Sequence, residues 1–296
     1  MQNVCRYYYT YDKWRPSLHV DFSPIRRMFS FSVKILVTSI INTINSNVLT
    51  FIIGHKFPMA AVGNFTQANK WNTMAYSTIT GTIEQVAQPV LAQIADDNER
   101  ERRVFRKLMR FTAFFSFPAL FGLSLVSREF ILITIGMKWI ECVPLLQVLC
   151  IGGAFFAFNT MYQQLAISSG RSDIYMWCNI FQIALQIALI LFTCSRGIYF
   201  MVVAYTVFSI LWLGVWQYQA RRIIGIRLRE VLADTMPFML SAAAVMAATY
   251  FLTKPVGSIW ILFPLRIAIA AALYLAIMKI ANVEILNECL RFVKKK

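Results

Sequence analysis

A carboxylate inside an apolar stretch is costly unless something satisfies it, and Glu84 is such a group. It belongs to a set, Thr73, Ser77, Gly81, Glu84 and Gln88, that recurs at three- and four-residue spacing and so lines one side of a helix. The other side carries Ile79, Ile83, Val86, Val90 and Ile94. A spanning helix of this kind sets its apolar side against lipid or packed helices and its polar side towards a cavity. Glu84 is the only carboxylate read well inside a span. It serves either as a cavity-facing proton, cation or hydroxyl site, or as a helix-end glutamate hydrogen-bonded to a neighbour. Thr38, Asn42 and Asn45 mark a second polar stripe, and Tyr175, Asn179, Gln182 and Gln186 a third. Amides there can bind hydroxyl-rich cargo or join helices; the former suits Asn42 and Asn45, the latter the third stripe. Arg266 is the other isolated charge, about seven residues into a span and roughly 10 Å deep at ~1.5 Å per residue. Its planar fork suits a diphosphate. Snorkelling to headgroups, or pairing with Glu84 or a backbone carbonyl, would occupy it equally well.

The elements that hold these residues are helices. Of 296 residues 58% are apolar and 15% charged, with a mean hydropathy of +0.58, which predicts an all-α polytopic membrane protein. Eight spans are expected, near 35–53, 73–95, 108–127, 142–167, 174–194, 198–219, 236–253 and 259–281. They form one transmembrane bundle over 35–283, between a basic cytoplasmic segment at 1–34 and a basic cytoplasmic tail at 284–296. Residues 54–72 read as a loop, DDNERERRVFRK as a short basic loop, SREFILITIGMKWIE as a partly apolar external segment and RRIIGIRLREVLAD as an interfacial linker. Pro118 is placed to kink the third span. In SSGRSD, Gly170 stops one helix and Ser172 or Asp173 caps the next. Trp139, Trp177 and Trp260 sit near span ends, as an interfacial belt requires.

The net charge of +15 would suggest nucleic acid in a soluble chain, but here the basic residues set topology and meet anionic headgroups. Segments 1–34, 96–110, 168–173, 220–235 and the tail from Lys279 hold 22 of the 29 Lys and Arg; the opposite loops hold six. This asymmetry puts both termini in the cytoplasm. The six cysteines form no CxxC pair and lie mostly in or beside apolar spans, so they read as small buried hydrophobes. The two histidines are far apart. No metal site or cofactor is called for. The first 20 residues lack the apolar core of a signal peptide.

Several stretches together carry a family likeness: KWRPSLHVDFSPIRRMFSFSVKILVTSIINTI, AVGNFTQANKW, QPVLAQIADDNERERRVFRKLMR, GMKWIECVPLLQVLCIGG and SGRSD. In order, from Lys13 to Asp173, they resemble the polysaccharide-export or O-antigen (Wzx-type) flippases. These belong to the superfamily of MATE drug exporters and the lipid II flippase. Members of the family have twelve to fourteen spans in two related halves, and the resemblance is to the C-terminal portion.

The resemblance implies a MATE-like half that moves a polyprenyl-diphosphate-linked oligosaccharide between leaflets of the bacterial inner membrane, for lipopolysaccharide or capsule synthesis. The partners it implies are membrane lipid, the lipid-linked oligosaccharide, and an N-terminal half or a second copy to complete the path; nucleic acid is not among them. Asn42, Asn45, Ser77, Gly81, Glu84, Gln88 and Arg266 are the substrate-path candidates. A cation-coupled drug exporter is the nearest alternative, although Glu84 alone supports it thinly. A non-transporting remnant or scaffold is another. A polymerase or ligase would need a sizeable outer loop with catalytic groups, and 54–72 contains no carboxylate, so no enzyme is expected. The charge asymmetry makes a testable statement. Reporter fusions after Asp97, Asp173 and Asp234 are expected to read as cytoplasmic, and fusions near Asn64 and Lys254 as external; an external signal at Asp97 would overturn this topology.

Overall fold

The computed structural model describes residues 29, 32–33, 35–40, 43, 52–95, 97–283, 285–286 and 288. Seven long helices follow one another: α1 (Met59–Ala92), α2 (Asn98–Thr134), α3 (Cys142–Ser168), α4 (Ser172–Thr193), α5 (Ile198–Ile224), α6 (Leu228–Thr253) and α7 (Ile259–Ile280). Single 3-10 turns at Met137–Trp139 and Cys194–Arg196 link α2 to α3 and α4 to α5. Among the described residues six helices, α2 to α7, are long and apolar enough to cross a membrane. The protein is thus an all-α polytopic membrane protein, with six such spans among the described residues where eight were expected over the whole chain. The first expected span falls largely outside the described residues. The second lies within α1, which is long enough but too polar to meet the same measure.

The helices run further than their apolar stretches. α1 starts at Met59, so the expected loop at 54–72 is mostly helix. α2 starts at Asn98, where the Asp97 carboxylate accepts a hydrogen bond from the Arg100 N–H at 3.0 Å. The supposed basic loop is therefore its first three turns. The same helix continues to Thr134 and takes up most of the expected external segment. α5 ends at Ile224 on a left-handed Gly225 and α6 begins at Leu228, which reduces the expected interfacial linker to a tight turn. Polar helix ends leave no trace in hydropathy, which explains the basic loop and the linker. Gly170, at φ 71°, stops α3 as expected, with Arg171 N–H reaching back to the Ala166 carbonyl at 2.9 Å. The expected cap is absent: Arg171 takes the N-cap position of α4 with no side-chain hydrogen bond.

α3 is the axis of the bundle. It packs along α1, α2 and α5, with α4 against α5, while α6 and α7 pack on the other side of α2. Lipid is as apolar as leucine, so association depends on close van der Waals fit. α3 provides that fit with small residues at its middle. A Cβ on Gly153 would lie 2.5 Å from Asn72 Oδ1 and 3.3 Å from Leu120 Cδ1; one on Gly152 would lie 2.9 Å from Thr206 Cγ2. Three neighbours therefore converge on two adjacent glycines. Ser116 strengthens the α2–α3 seam, its hydroxyl donating to the Ala154 carbonyl at 2.8 Å. Cys142, Cys150 and Cys178 are buried, as expected of small hydrophobes.

Pro118 lies inside α2. Having no N–H, it cannot bond the carbonyl four residues earlier, that of Phe114. The Tyr274 hydroxyl of α7 donates to that carbonyl at 3.1 Å. The interruption in one helix is thus repaired by the next, as buried backbone acceptors require.

Replacing Gly153 with valine forces Asn72 and Leu120 to move. Thermal unfolding in detergent is expected to show a loss on the order of 1–3 kcal/mol. Gly214→Val, where no atom lies within 4 Å of the added Cβ, serves as reference. Equal stability of the two variants would refute the crossing at Gly153.

Candidate functional site

A cavity of about 360 Å³ opens between α1, α3, α4 and α5. Its wall is unusually polar for a membrane bundle. Glu84 comes from α1; Asn159, Thr160 and Gln163 from α3; Asn179, Gln182 and Gln186 from α4; Tyr205 and Ser209 from α5. The α4 amides occur three and four residues apart, which puts them on one face, and all three are buried.

Part of this polarity is satisfied within the protein. Gln163 donates to Asn179 at 3.3 Å, and Asn179 donates to the Tyr175 carbonyl at 2.7 Å. Gln186 donates to Ser209 at 3.1 Å, and the Ser209 hydroxyl donates to the Tyr205 carbonyl at 2.9 Å. Another part is not. Asn159 Oδ1 is buried without a hydrogen bond. Among the described residues Gln182 has no hydrogen-bond partner and Glu84 no ion pair. The site therefore has a carbonyl, an amide and a carboxylate available around one void. Glu84 itself is exposed; the buried Asn159 carbonyl is the group that calls for water or a polar ligand.

Of the residues singled out in the sequence, Glu84 lines this cavity. Ser77 and Gln88 are exposed and Gly81 is half-buried. Asn42 and Asn45 lie outside the described residues. The packed side of α1 is neither the polar stripe nor the apolar one. Asn72, Thr80, Ala87 and Leu91 are buried and fall between the two, which leaves part of each exposed. The hydroxyls of Ser77 and Thr78 bond to the Met74 carbonyl, and that of Thr82 to the Thr78 carbonyl. The third stripe, read as packing, does both jobs: its amides join helices and border the same void as Glu84.

Arg266 sits elsewhere. It is buried near the start of α7 and lies 3.0 Å from Glu129 of α2. Its Nε donates to Thr253 Oγ1 at 3.1 Å and its Nη1 to the Leu125 carbonyl at 3.4 Å. The guanidinium also lies 5.5 Å from the Tyr250 ring. Pairing with a backbone carbonyl was among the expected arrangements; Glu129 was missed, because it was assigned to an external segment. Glu84 is accordingly not the only carboxylate within a spanning helix.

The opposite end of the bundle is held by charges. Arg102, Arg106 and Arg110 recur every four residues on α2 and face Glu230 and Asp234, also four apart, on α6. Arg102 pairs with Glu230. Arg106 forks onto Asp234 through Nε at 2.6 Å and Nη2 at 3.1 Å, and Arg110 lies 3.8 Å from Asp234. Glu230 also accepts the Arg227 N–H at 2.9 Å. Lys107 reaches Glu288 at 2.7 Å and Ser169 donates to Glu101 at 3.2 Å. Segments 96–110, 168–173 and 220–235 and the start of the tail thus meet at one end. Complementary charges at matched four-residue spacing were the available signal for this ladder.

A buried ion pair that loses one partner leaves an uncompensated charge. Arg266→Gln is expected to destabilise the detergent-solubilised protein by about 3–5 kcal/mol. The apolar double variant Arg266→Met with Glu129→Leu is expected to recover most of that loss. A double variant as unstable as the single would show that the pair is not the source of the cost.

These features match known proteins. The family described as "Polysaccharide biosynthesis protein" matches residues 2–144. The lipopolysaccharide biosynthesis protein WzxC of Escherichia coli (strain K12) is 30% identical over 169 residues, covering 57% of this chain and 34% of WzxC. An uncharacterized membrane protein in the cps region of Klebsiella pneumoniae is 30% identical over 190 residues, 64% of this chain and 38% of that protein. The teichuronic acid biosynthesis protein TuaB of Bacillus subtilis (strain 168) is 27% identical over 235 residues, 78% of this chain and 48% of TuaB. The chain thus matches between a third and a half of the length of these relatives. In fold it is similar to the lipid II flippase MurJ in an inward closed conformation, with a TM-score of 0.70 at 15% identity, over 94% of this chain and 59% of MurJ. With these likenesses beside its polar cavity and the six apolar spans among the described residues, the chain has a MurJ-like fold and is similar over residues 2–144 to the family described as "Polysaccharide biosynthesis protein".

Proposed function

We propose that this chain forms part of a flippase that carries a polyprenyl-diphosphate-linked oligosaccharide across the bacterial inner membrane for lipopolysaccharide or capsule assembly. Both termini are placed in the cytoplasm, and the polar cavity forms part of the wall of the path. The observation that carries this reading is the buried, unpaired carbonyl of Asn159 in a void also lined by Gln182 and the exposed Glu84. Sugar hydroxyls both donate and accept, so they can satisfy a carboxylate, a carbonyl and an amide together. The relatives support the class of cargo, since WzxC is named for lipopolysaccharide biosynthesis and TuaB for teichuronic acid biosynthesis.

Asn42, Asn45, Ser77, Gly81 and Gln88 are proposed to continue the polar wall. Arg266 is assigned to holding α7 against α2, because its guanidinium already engages Glu129, Thr253 and Leu125. A diphosphate must be kept from hydrocarbon on every side, so an N-terminal half or a second copy is proposed to supply the opposite wall.

The test uses single cysteines at 84, 182 and 186 in a background without the six native cysteines. A membrane-impermeant thiol reagent is expected to label these positions and to leave cysteines at 79 and 83 unlabelled. Added polyprenyl-diphosphate-linked oligosaccharide is expected to slow labelling at 182 and 186. Labelling rates indifferent to that lipid would reject the cavity as a cargo wall.

A further inference from the structure

A second cavity, of about 330 Å³, lies at the charged end of the bundle, on its far side from the Arg–Glu ladder. It is lined by Arg171, Asp173, Trp177, Cys178, Gln219 and Arg222, among others. Arg171 comes from the turn before α4 and Arg222 from the last turn of α5. The arginines of the ladder are engaged by Glu230 and Asp234. Among the described residues Arg171 and Arg222 have no ion pair. Arg222 is held from below, its guanidinium 4.6 Å from the Tyr218 ring, a cation–π contact that keeps it at the cavity mouth. The floor joins two helices, with Cys178 and Gln219 in side-chain hydrogen-bond contact.

Two further features favour an anion. The first turn of α4 borders the cavity through Asp173 and Ile174, and no side chain caps that helix. Its leading N–H groups and the positive end of its dipole are therefore available. Asp173 opposes an anion, but two guanidiniums and a helix N-terminus outweigh one exposed carboxylate. Trp177 is 53% exposed beside the void, in the second turn of α4, near a span end as interfacial tryptophans are.

We propose that this cavity binds a phosphoryl group, and specifically the headgroup phosphate of an anionic membrane phospholipid. The guanidinium forks of Arg171 and Arg222 match two oxygens of a phosphate. Trp177 lies against the glycerol and upper acyl region, which a soluble phosphate does not have. The site is distinct from the polar cavity that faces α1, and its occupancy does not depend on the cargo proposed above.

Native mass spectrometry of the whole chain, purified in detergent with equal phosphatidylglycerol and phosphatidylcholine, tests this directly. Wild-type protein is expected to retain phosphatidylglycerol selectively. Arg171→Gln with Arg222→Gln is expected to lose that selectivity by a factor on the order of thirty. Arg100→Gln with Arg103→Gln removes two exposed arginines at the same end that line no part of the cavity; it is expected to retain selectivity. Inorganic phosphate in excess is expected not to displace the lipid. Retention of phosphatidylglycerol by the Arg171/Arg222 variant would overturn the site, as would an equal loss in the Arg100/Arg103 variant. Displacement by inorganic phosphate would overturn the lipid assignment in favour of a soluble phosphate compound. Each single substitution, Arg171→Gln and Arg222→Gln, supplies the same comparison should the double variant unfold.

Discussion

The bundle depends on how closely three helices can approach α3. In lipid, no hydrophobic force drives helices together, and contact must come from fit. Gly152 and Gly153 provide it at one level, where Asn72, Leu120 and Thr206 come within a few ångströms of where a side chain would begin. The position of α1 follows from this crossing, and so does the wall it presents. Had α3 carried larger residues there, α1 and α5 would stand further off. The void between them would then be wider and its polar walls further apart.

Polar groups in this protein fall into two kinds, and the difference separates structure from function. At both ends of α2 the charges are matched. Arg266 has Glu129, Thr253 and a backbone carbonyl; Arg106 has both oxygens of Asp234. Such groups hold helices in place and have little left for a ligand. In the α1–α3–α4–α5 cavity the balance is reversed, because Glu84, Gln182 and Asn159 retain unused capacity. The same distinction marks Arg171 and Arg222 against their ladder neighbours.

Much of this was legible in the sequence. Spans near α3, α4, α5 and α7 were located to within a few residues, because apolar runs of membrane length have few other meanings. Gly170 announced a helix stop because few other residues adopt its backbone conformation. Helix extents were less legible. The polar first turns of α2 and α6 and the first half of α1 contribute nothing to a hydropathy signal, although in α2 and α6 charges at four-residue spacing mark the helix. Long-range partners were less visible still. Nothing local to Arg266 points to Glu129, and the α4 amides do not reveal that Glu84 lies across the void from them. Periodicity places a residue on a face; only the packing of helices decides which faces meet.

The hydroxyls of α1 carry a mechanical consequence. Ser77, Thr78, Thr80 and Thr82 all return their hydrogen bonds to carbonyls of the same helix. The helix is polar, yet over this stretch it is not stitched to its neighbours. Among the described residues its side-chain tie to another element is at its far end, where Asn64 donates to Glu141 at 3.0 Å. Sliding or turning α1 about that anchor would disturb van der Waals contacts and leave these hydrogen bonds intact. Over this stretch the wall that carries Glu84 is therefore held by van der Waals fit, above all where Asn72 crosses Gly153, and not by hydrogen bonds.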